Sequence, residues 1–298
     1  MSTCNRRMNG CGMPVILAGA LMSVLASSNG VGQAAWAADE APADLVRAHL
    51  VADAAAIEPG GRFTLGVVMK IKPHWHTYWV NPGDFGNATT IRWQAPEGFN
   101  FGPIQWPLPK KITADGFTSY GYEDEVMLLV PASASAGLKP GDKVTLHAHV
   151  TWLCCHEECV EGSSEVSLTL PVAERSTPAN ANLFGAWRQR LPADRSDAVA
   201  SVHQENARDG QPAPVLTVRW KAAPKHVDWL PVATEAIGIA DVKVRHEGSL
   251  TEIRFKSKIY APDKVPADGR VEGVLVFTDT QGRRLGISLA ARVANPTK

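Results

Sequence analysis

Residues 143–162, KVTLHAHVTWLCCHEECVEG, combine a strand pattern with a cluster of cysteines. Apolar side chains recur at every second position of the first part: Val144, Leu146, Ala148, Val150 and Trp152. A period of two is typical of a half-buried β-strand. Cys154, Cys155 and Cys159 follow at the end of this predicted strand. Cysteines gathered there indicate a chemical site on a rigid scaffold rather than scattered core thiols.

The rest of the chain repeats short alternating segments separated by turns rich in proline and glycine. The length of 298 residues suggests roughly two domains. A helical period appears at residues 183–191, which end at Pro192. We therefore predict an all-β protein with two immunoglobulin-like β-sandwich domains, at residues 40–173 and 193–298. Residues 174–192 form the linker between them, and it contains a short helix.

Two segments of the first predicted domain receive specific predictions. Residues 73–86, PHWHTYWVNPGDFG, place several aromatic side chains beside the turn sequence Asn-Pro-Gly-Asp. This composition predicts a loop that is pinned on the core, either as a packed corner of the sandwich or beside a site. Residues 121–130 read as one continuous strand.

The N-terminus has the organisation of a secretory signal peptide at residues 1–37. Arg6 and Arg7 precede an apolar run over residues 13–26, and Ala35-Trp36-Ala37 supplies small residues for cleavage. The run is short for a membrane span, although a retained N-terminal anchor is the alternative. Cleavage would leave only the three clustered cysteines in an oxidising compartment, where thiols usually pair.

Charge and motifs exclude several other functions. The formal net charge is zero and no basic stripe appears, so we expect no nucleic-acid partner. The sequence contains no Ser/His/Asp order, phosphate-binding loop or HExxH motif, which gives hydrolase and nucleotide-binding functions little support.

Four motifs in one order carry a family resemblance: WHTYWVNPGD at residues 75–84, IQWP at 104–107, YGYE at 120–123 and WLCCHEEC at 152–159. Together they resemble the N-terminal periplasmic region of the DsbD/ScsB thiol:disulfide interchange proteins. The second β-region also resembles the region that follows in ScsB-like members. Two positions depart from the family: Cys154 replaces a usual apolar residue, and Val160-Glu161-Gly162 replaces a segment that usually contains proline.

The resemblance implies a periplasmic component of a protein-disulfide reductase, without a cofactor. It places the redox-active pair on Cys155 and Cys159, with Cys159 exchanging with partners and Cys155 resolving the mixed disulfide. Electrons would come from a membrane thiol reductase, which we expect to be a separate protein, and would pass to periplasmic thioredoxin-like proteins. Seven residues are expected to line the site: His76, Tyr78, Trp79, Asp84, Tyr122, Trp152 and His156.

The residues themselves leave alternatives open. Protonated His156 would favour a thiolate, whereas Glu157 and Glu158 would oppose it, so we expect a pair that is not strongly oxidising. Cys154 is either a small core residue in phase with Trp152 or a competitor for pairing with Cys159. The alternative function is a non-catalytic binding module. It would hold a static disulfide, or copper or zinc on Cys154, Cys155, His156 and Cys159.

Overall fold

The computed structural model describes residues 42–114, 116–193, 198–206, 212–232, 237–261 and 270–292. Regular structure in these ranges is mostly antiparallel β-strand, in two β regions, which confirms the prediction of a mostly β fold for the described residues. The immunoglobulin-like form and the domain boundaries stay predictions. The predicted signal peptide lies outside the described residues. No helix in the described ranges is both long and apolar enough to span a bilayer.

The first β region consists of two sheets and a short helix. Its elements are α1 (Pro42–Leu45), β1 (Val46–Ala52), β2 (Arg62–Ile71), β3 (His76–Gly83), β4 (Thr90–Gln94), β5 (Asn100–Phe101), β6 (Lys110–Ala114), β7 (Phe117–Glu123), β8 (Glu125–Ser133), β9 (Lys143–Cys155) and β10 (Cys159–Pro171). One sheet has the strand order β1-β2-β8-β5. The other has the order β10-β9-β3-β7-β6, and β4 also pairs with β9.

The hairpin of β9 and β10 forms as the alternating pattern predicts. Every even-numbered residue of β9 is buried, from Val144 to Cys154. Strand β10 pairs with β9 along its full length, so that Gly162 lies opposite Trp152. The buried face of β9 packs against apolar residues of β2 and β8, such as Val67 and Leu128. Removing this apolar face from water is the main source of stability for the region.

Two sequence predictions for this region were wrong. Residues 73–86 contain strand β3, which pairs with both β7 and β9 instead of forming a loop throughout. Residues 121–130 form parts of two strands in different sheets, because Asp124 adopts a left-handed conformation (φ 63°) between β7 and β8. Aspartate tolerates this conformation better than most residues with a side chain.

The second β region follows a helix, α2 (Ala181–Arg188), which overlaps the helix predicted at residues 183–191. Phe184 and Trp187 lie three positions apart and are buried, as expected for an amphipathic helix. The strands that follow are β11 (Ala198–Asn206), β12 (Pro212–Trp220), β13 (Lys225–Val232), β14 (Ile237–Glu247), β15 (Leu250–Ile259), β16 (Arg270–Thr278) and β17 (Arg284–Arg292). They form sheets of order β11-β12-β15-β14 and β13-β16-β17.

The two β regions share part of one apolar core. Leu230 and Val276 of the second region belong to the same buried cluster as Trp79 of β3. The side-chain amide of Asn81 donates a hydrogen bond to the carbonyl oxygen of Pro231. These contacts hold the second half of β3 against the second region. The first half of β3 is held by its pairing with β7 and β9.

A small residue opposite Trp152 is required for the hairpin to close. A Cβ atom on Gly162 would lie 2.4 Å from Nε1 of the Trp152 indole, which is itself packed in the core. We therefore expect Gly162→Ala to lower the free energy of unfolding by about 1–3 kcal/mol, measured by urea denaturation. Gly137→Ala is the matched control, because its Cβ would meet only Ser135 Oγ at 3.6 Å. Equal stability of the two variants would contradict this packing.

Candidate disulfide site

A disulfide bond joins Cys155 and Cys159 at the tip of the β9–β10 hairpin. The two residues are cross-strand partners, with their Cα atoms 4.2 Å apart. Residues 156–158 form the connecting loop, which is closed by a hydrogen bond from the His156 amide to the Glu158 carbonyl oxygen at 3.0 Å. Cys155 is the last residue of β9 and Cys159 is the first residue of β10, so the disulfide links the two strand ends.

The two cysteines differ in their access to solvent. Cys155 is 3% exposed, whereas Cys159 is exposed. All three residues of the loop between them are also exposed. A thiolate must approach a disulfide sulfur directly in order to exchange with it. The arrangement therefore favours attack on the bond from the Cys159 side.

Cys154 lies on the opposite face of β9, apart from the disulfide. Its cross-strand neighbours are Val160 on β10 and Thr77 on β3, and it is 1% exposed within the apolar core. Burial raises the pKa of the Cys154 thiol to about 12. The residue therefore remains a neutral thiol near pH 7, with its side chain packed in the core.

Two histidines lie beside the disulfide. His76 on β3 is the direct cross-strand partner of Cys155 and is half-buried. His156 is exposed in the hairpin loop, and its ring lies 6.0 Å from the Trp75 ring. Tyr78 is buried behind His76, and the two rings meet edge-on with their centroids 5.1 Å apart. These three predicted site residues are brought together.

The structure places three other predicted site residues in the core: Trp79, Tyr122 and Trp152. Tyr122 is opposite Thr77, which puts it in the same cross-strand row as Cys154. Its hydroxyl donates a hydrogen bond to the Pro107 carbonyl oxygen at 2.7 Å. Tyr122 therefore makes its polar contact with Pro107, inside the core and away from the disulfide.

Asp84 connects the chain after β3 to the start of β7. Its carboxylate accepts a hydrogen bond from the Thr118 amide at 2.7 Å, and its own amide donates to the Thr118 carbonyl oxygen at 2.9 Å. Beside this link, the rings of Phe85 and Phe117 meet edge-on at 4.6 Å, although both side chains are about half exposed. This exposed aromatic pair was missed, because nothing in the sequence brings residues 85 and 117 together.

Glu123 is a second residue that the sequence did not select. It is the cross-strand partner of His76 on the side away from Cys155. Lys110 on β6 donates a hydrogen bond to its carboxylate at 2.8 Å. The motif YGYE contains both Tyr122 and Glu123. Only the strand register shows that Glu123, and not Tyr122, lies on the same face of the sheet as His76.

An open groove of about 1050 Å³ lies along the same face of the hairpin as the disulfide. Thr151 and Leu153 line it from β9, and Glu161 lines it from β10. Side chains two and four residues apart on a strand share one face, so Leu153 is the neighbour of Cys155 along this surface. A chain that reaches the disulfide could therefore rest on a mixed polar and apolar surface beside it.

With the disulfide closed, the described residues contain no group of three or more His, Cys, Asp or Glu side chains placed to hold a metal ion. Cys155 and Cys159 are bonded to each other, and Cys154 belongs to the opposite face of the sheet. The four-ligand set considered from the sequence is therefore not assembled in this state.

Comparison with known proteins gives a family match for most of the first β region. Residues 44–171 match the family described as "Thiol:disulfide interchange protein DsbD, N-terminal". No curated protein sequence is similar enough to count as a match.

Among solved structures, the N-terminal periplasmic domain of ScsB from Proteus mirabilis has a TM-score of 0.58 at 16% identity. The alignment covers 82% of this chain and 92% of that chain. The major pilin subunit BcpA*(D312A) of Bacillus cereus aligns over 84% of this chain and 66% of its own, at 10% identity. Its TM-score of 0.26 is too low to indicate a shared fold. The resemblance carried by the sequence motifs is thus confirmed: residues 44–171 are similar to the DsbD N-terminal domain family.

Proposed function

We propose that this chain exchanges disulfides with other periplasmic proteins through Cys155 and Cys159. The observation that carries the proposal is the asymmetry of the pair at the hairpin tip. Cys159 is open to solvent, while Cys155 is covered. An exposed sulfur that can be attacked and a protected sulfur that can resolve the product are the two parts that thiol–disulfide exchange requires.

The reduced pair would act in two steps. The Cys159 thiolate attacks one sulfur of the partner's disulfide, which forms a mixed disulfide and releases one partner thiolate. The Cys155 sulfur then attacks Cys159, which re-forms the Cys155–Cys159 bond and releases the second partner sulfur. Two electrons and two protons pass from the pair to the partner, whose disulfide becomes two thiols.

The partners follow from the family. Because the DsbD N-terminal family takes part in thiol–disulfide exchange, we infer that a membrane thiol reductase reduces the pair. Periplasmic thioredoxin-like proteins would then receive the electrons. The periplasmic location is supported by the similar fold of the ScsB domain, which is itself periplasmic. The groove beside Leu153 and Glu161 offers such partners a surface next to the disulfide.

Trapping of mixed disulfides tests the proposal. In the reduced Cys155→Ala variant the resolving sulfur is gone, so Cys159 should stay bonded to partner proteins in a periplasmic extract. We expect disulfide-linked partners on non-reducing gels, which mass spectrometry can identify.

Cys159→Ala is the matched control and should trap about tenfold less or nothing, because Cys155 is covered. Equal trapping by the two variants would contradict the assigned roles. If neither variant is linked to another protein, a static disulfide becomes the better account.

A further inference from the structure

A row of side chains with different chemistry crosses the sheet at the level of the disulfide. Cys159 on β10 lies opposite Cys155 on β9, which lies opposite His76 on β3, which lies opposite Glu123 on β7. Directly opposite residues of an antiparallel sheet place their Cβ atoms about 4.5–5.5 Å apart on one face. The imidazole of His76 is therefore the titratable side chain directly across from Cys155.

The surroundings of His76 restrict its ring and its charge. The Tyr78 ring lies edge-on to it on its own strand, Glu123 faces it from β7, and His156 faces it from the hairpin loop. Burial lowers the pKa of His76, Glu123 raises it, and His156 lowers it further. Because the net direction is downward from 6.5, His76 is mainly a neutral imidazole at pH 7, with a free lone pair.

Cys155 is the sulfur that needs a base. In the resolving step it must attack as a thiolate, but it is only 3% exposed. A thiol held away from water loses its proton less readily than an exposed thiol. The carboxylates of Glu157 and Glu158 in the adjacent loop would disfavour the negative charge of a Cys155 thiolate. Resolution therefore benefits from a neutral base that is directly opposite the buried sulfur.

We propose that His76 is the general base that removes the proton from Cys155 when the mixed disulfide is resolved. The inference rests on the proposed exchange function. The Cys155 S–H bond breaks, its proton moves to an imidazole nitrogen of His76, and the sulfur electron pair attacks Cys159. The Cys155–Cys159 bond forms as the bond from Cys159 to the partner sulfur breaks. The partner leaves with the electron pair, and the imidazolium returns its proton to the departing thiolate or to water.

Reaction of the reduced protein with 5,5′-dithiobis(2-nitrobenzoate) separates the two steps. Attack by Cys159 releases the first nitrothiobenzoate, and closure by Cys155 releases the second in a phase that does not depend on reagent concentration. We expect His76→Gln to slow the second phase at least about tenfold at pH 7, since positioned bases contribute roughly 10²–10⁴-fold. The first phase should stay within about twofold of wild type.

The pH profile of the wild-type protein tests the same role without any substitution. In the wild-type protein the second phase should level off above a midpoint below 6.5, the ordinary pKa of histidine. In His76→Gln it should keep rising about tenfold per pH unit between pH 7 and 8, because the thiol must then ionise unaided. His49→Gln is the matched control, because His49 is exposed on β1 in the other sheet, and it should change the second phase by less than about twofold.

The possible failures are distinguishable. An unchanged second phase in His76→Gln, equal slowing of both phases, or a wild-type profile without a plateau would overturn the role of His76 alone. Slowing in His156→Gln instead would move the role to the loop histidine and would also overturn the proposal. If wild type releases no second nitrothiobenzoate, the pair does not close by exchange, and the proposed function itself fails.

Discussion

Iodoacetamide is expected to alkylate Cys154 of the folded, disulfide-bonded protein about a thousandfold more slowly than the same residue of the urea-unfolded protein. Burial raises the pKa of this thiol from 9.0 to about 12, so the folded protein ionises it far less readily than the unfolded protein does. At pH 8 the reactive thiolate is correspondingly about 10³ times rarer in the folded protein. The rate can be measured at pH 8 as the alkylated fraction of the peptide containing Cys154.

The outcome decides whether the third thiol takes part in exchange. A folded-state rate within about tenfold of the unfolded rate would show that Cys154 is open to reagents and able to compete for Cys159. The expected protection instead makes Cys154 a neutral core residue, in agreement with its position opposite Thr77 and Val160. Peptide mapping keeps the measurement independent of Cys4 and Cys11, which lie outside the described residues.

Gly121→Ala should have the largest effect on stability among the substitutions considered. A Cβ atom at this position would lie 2.1 Å from the backbone oxygen of Thr77, so β3 and β7 would have to separate. Overpacking typically costs 1–3 kcal/mol, and a clash with backbone cannot be relieved by a rotamer change, so we expect a loss of about 3 kcal/mol or more. Urea denaturation measures the loss.

Gly185→Ala provides the control for this substitution. An added Cβ there has no neighbour within 4 Å, and alanine is a better helix former, so the free energy of unfolding should stay unchanged or rise by up to about 1 kcal/mol. A loss below about 1 kcal/mol in Gly121→Ala would show that the close contact of β3 and β7 is wrong. That contact also sets the register of His76 with Glu123.

The sequence predicts those strands in which apolar and polar residues alternate clearly. Strand β9 alternates clearly from Val144 to Trp152, and its hairpin partner shows the same pattern from residue 165 onward. The first part of β10 was not recognised, because Glu161, Gly162 and Ser163 interrupt the alternation. Gly162 is small because Trp152 packs over it, which is a tertiary reason that no local pattern contains.

The sequence predicts the cysteine pair of the site, but not which side chains of β3 and β7 lie beside it. Asn81-Pro82-Gly83 in the second half of β3 is turn chemistry, so the sequence predicts a loop there. Nothing local shows that the first half of β3 pairs with β9. Without the pairing of β3, parity along β7 is unknown, and a shift of one residue exchanges the two faces of a strand. For this reason Tyr122 was selected from the YGYE motif, while Glu123 was overlooked.

Reduction of the folded protein by dithiothreitol tests most directly whether the Cys155–Cys159 bond is open to exchange. Because Cys159 is exposed, the rate at pH 8 should rise in proportion to dithiothreitol concentration and should hardly change in urea below the unfolding transition. A rate that reaches a plateau with dithiothreitol and accelerates with urea would mean that the bond opens only when the protein unfolds. The disulfide would then be a structural brace, and the proposed exchange function would be wrong.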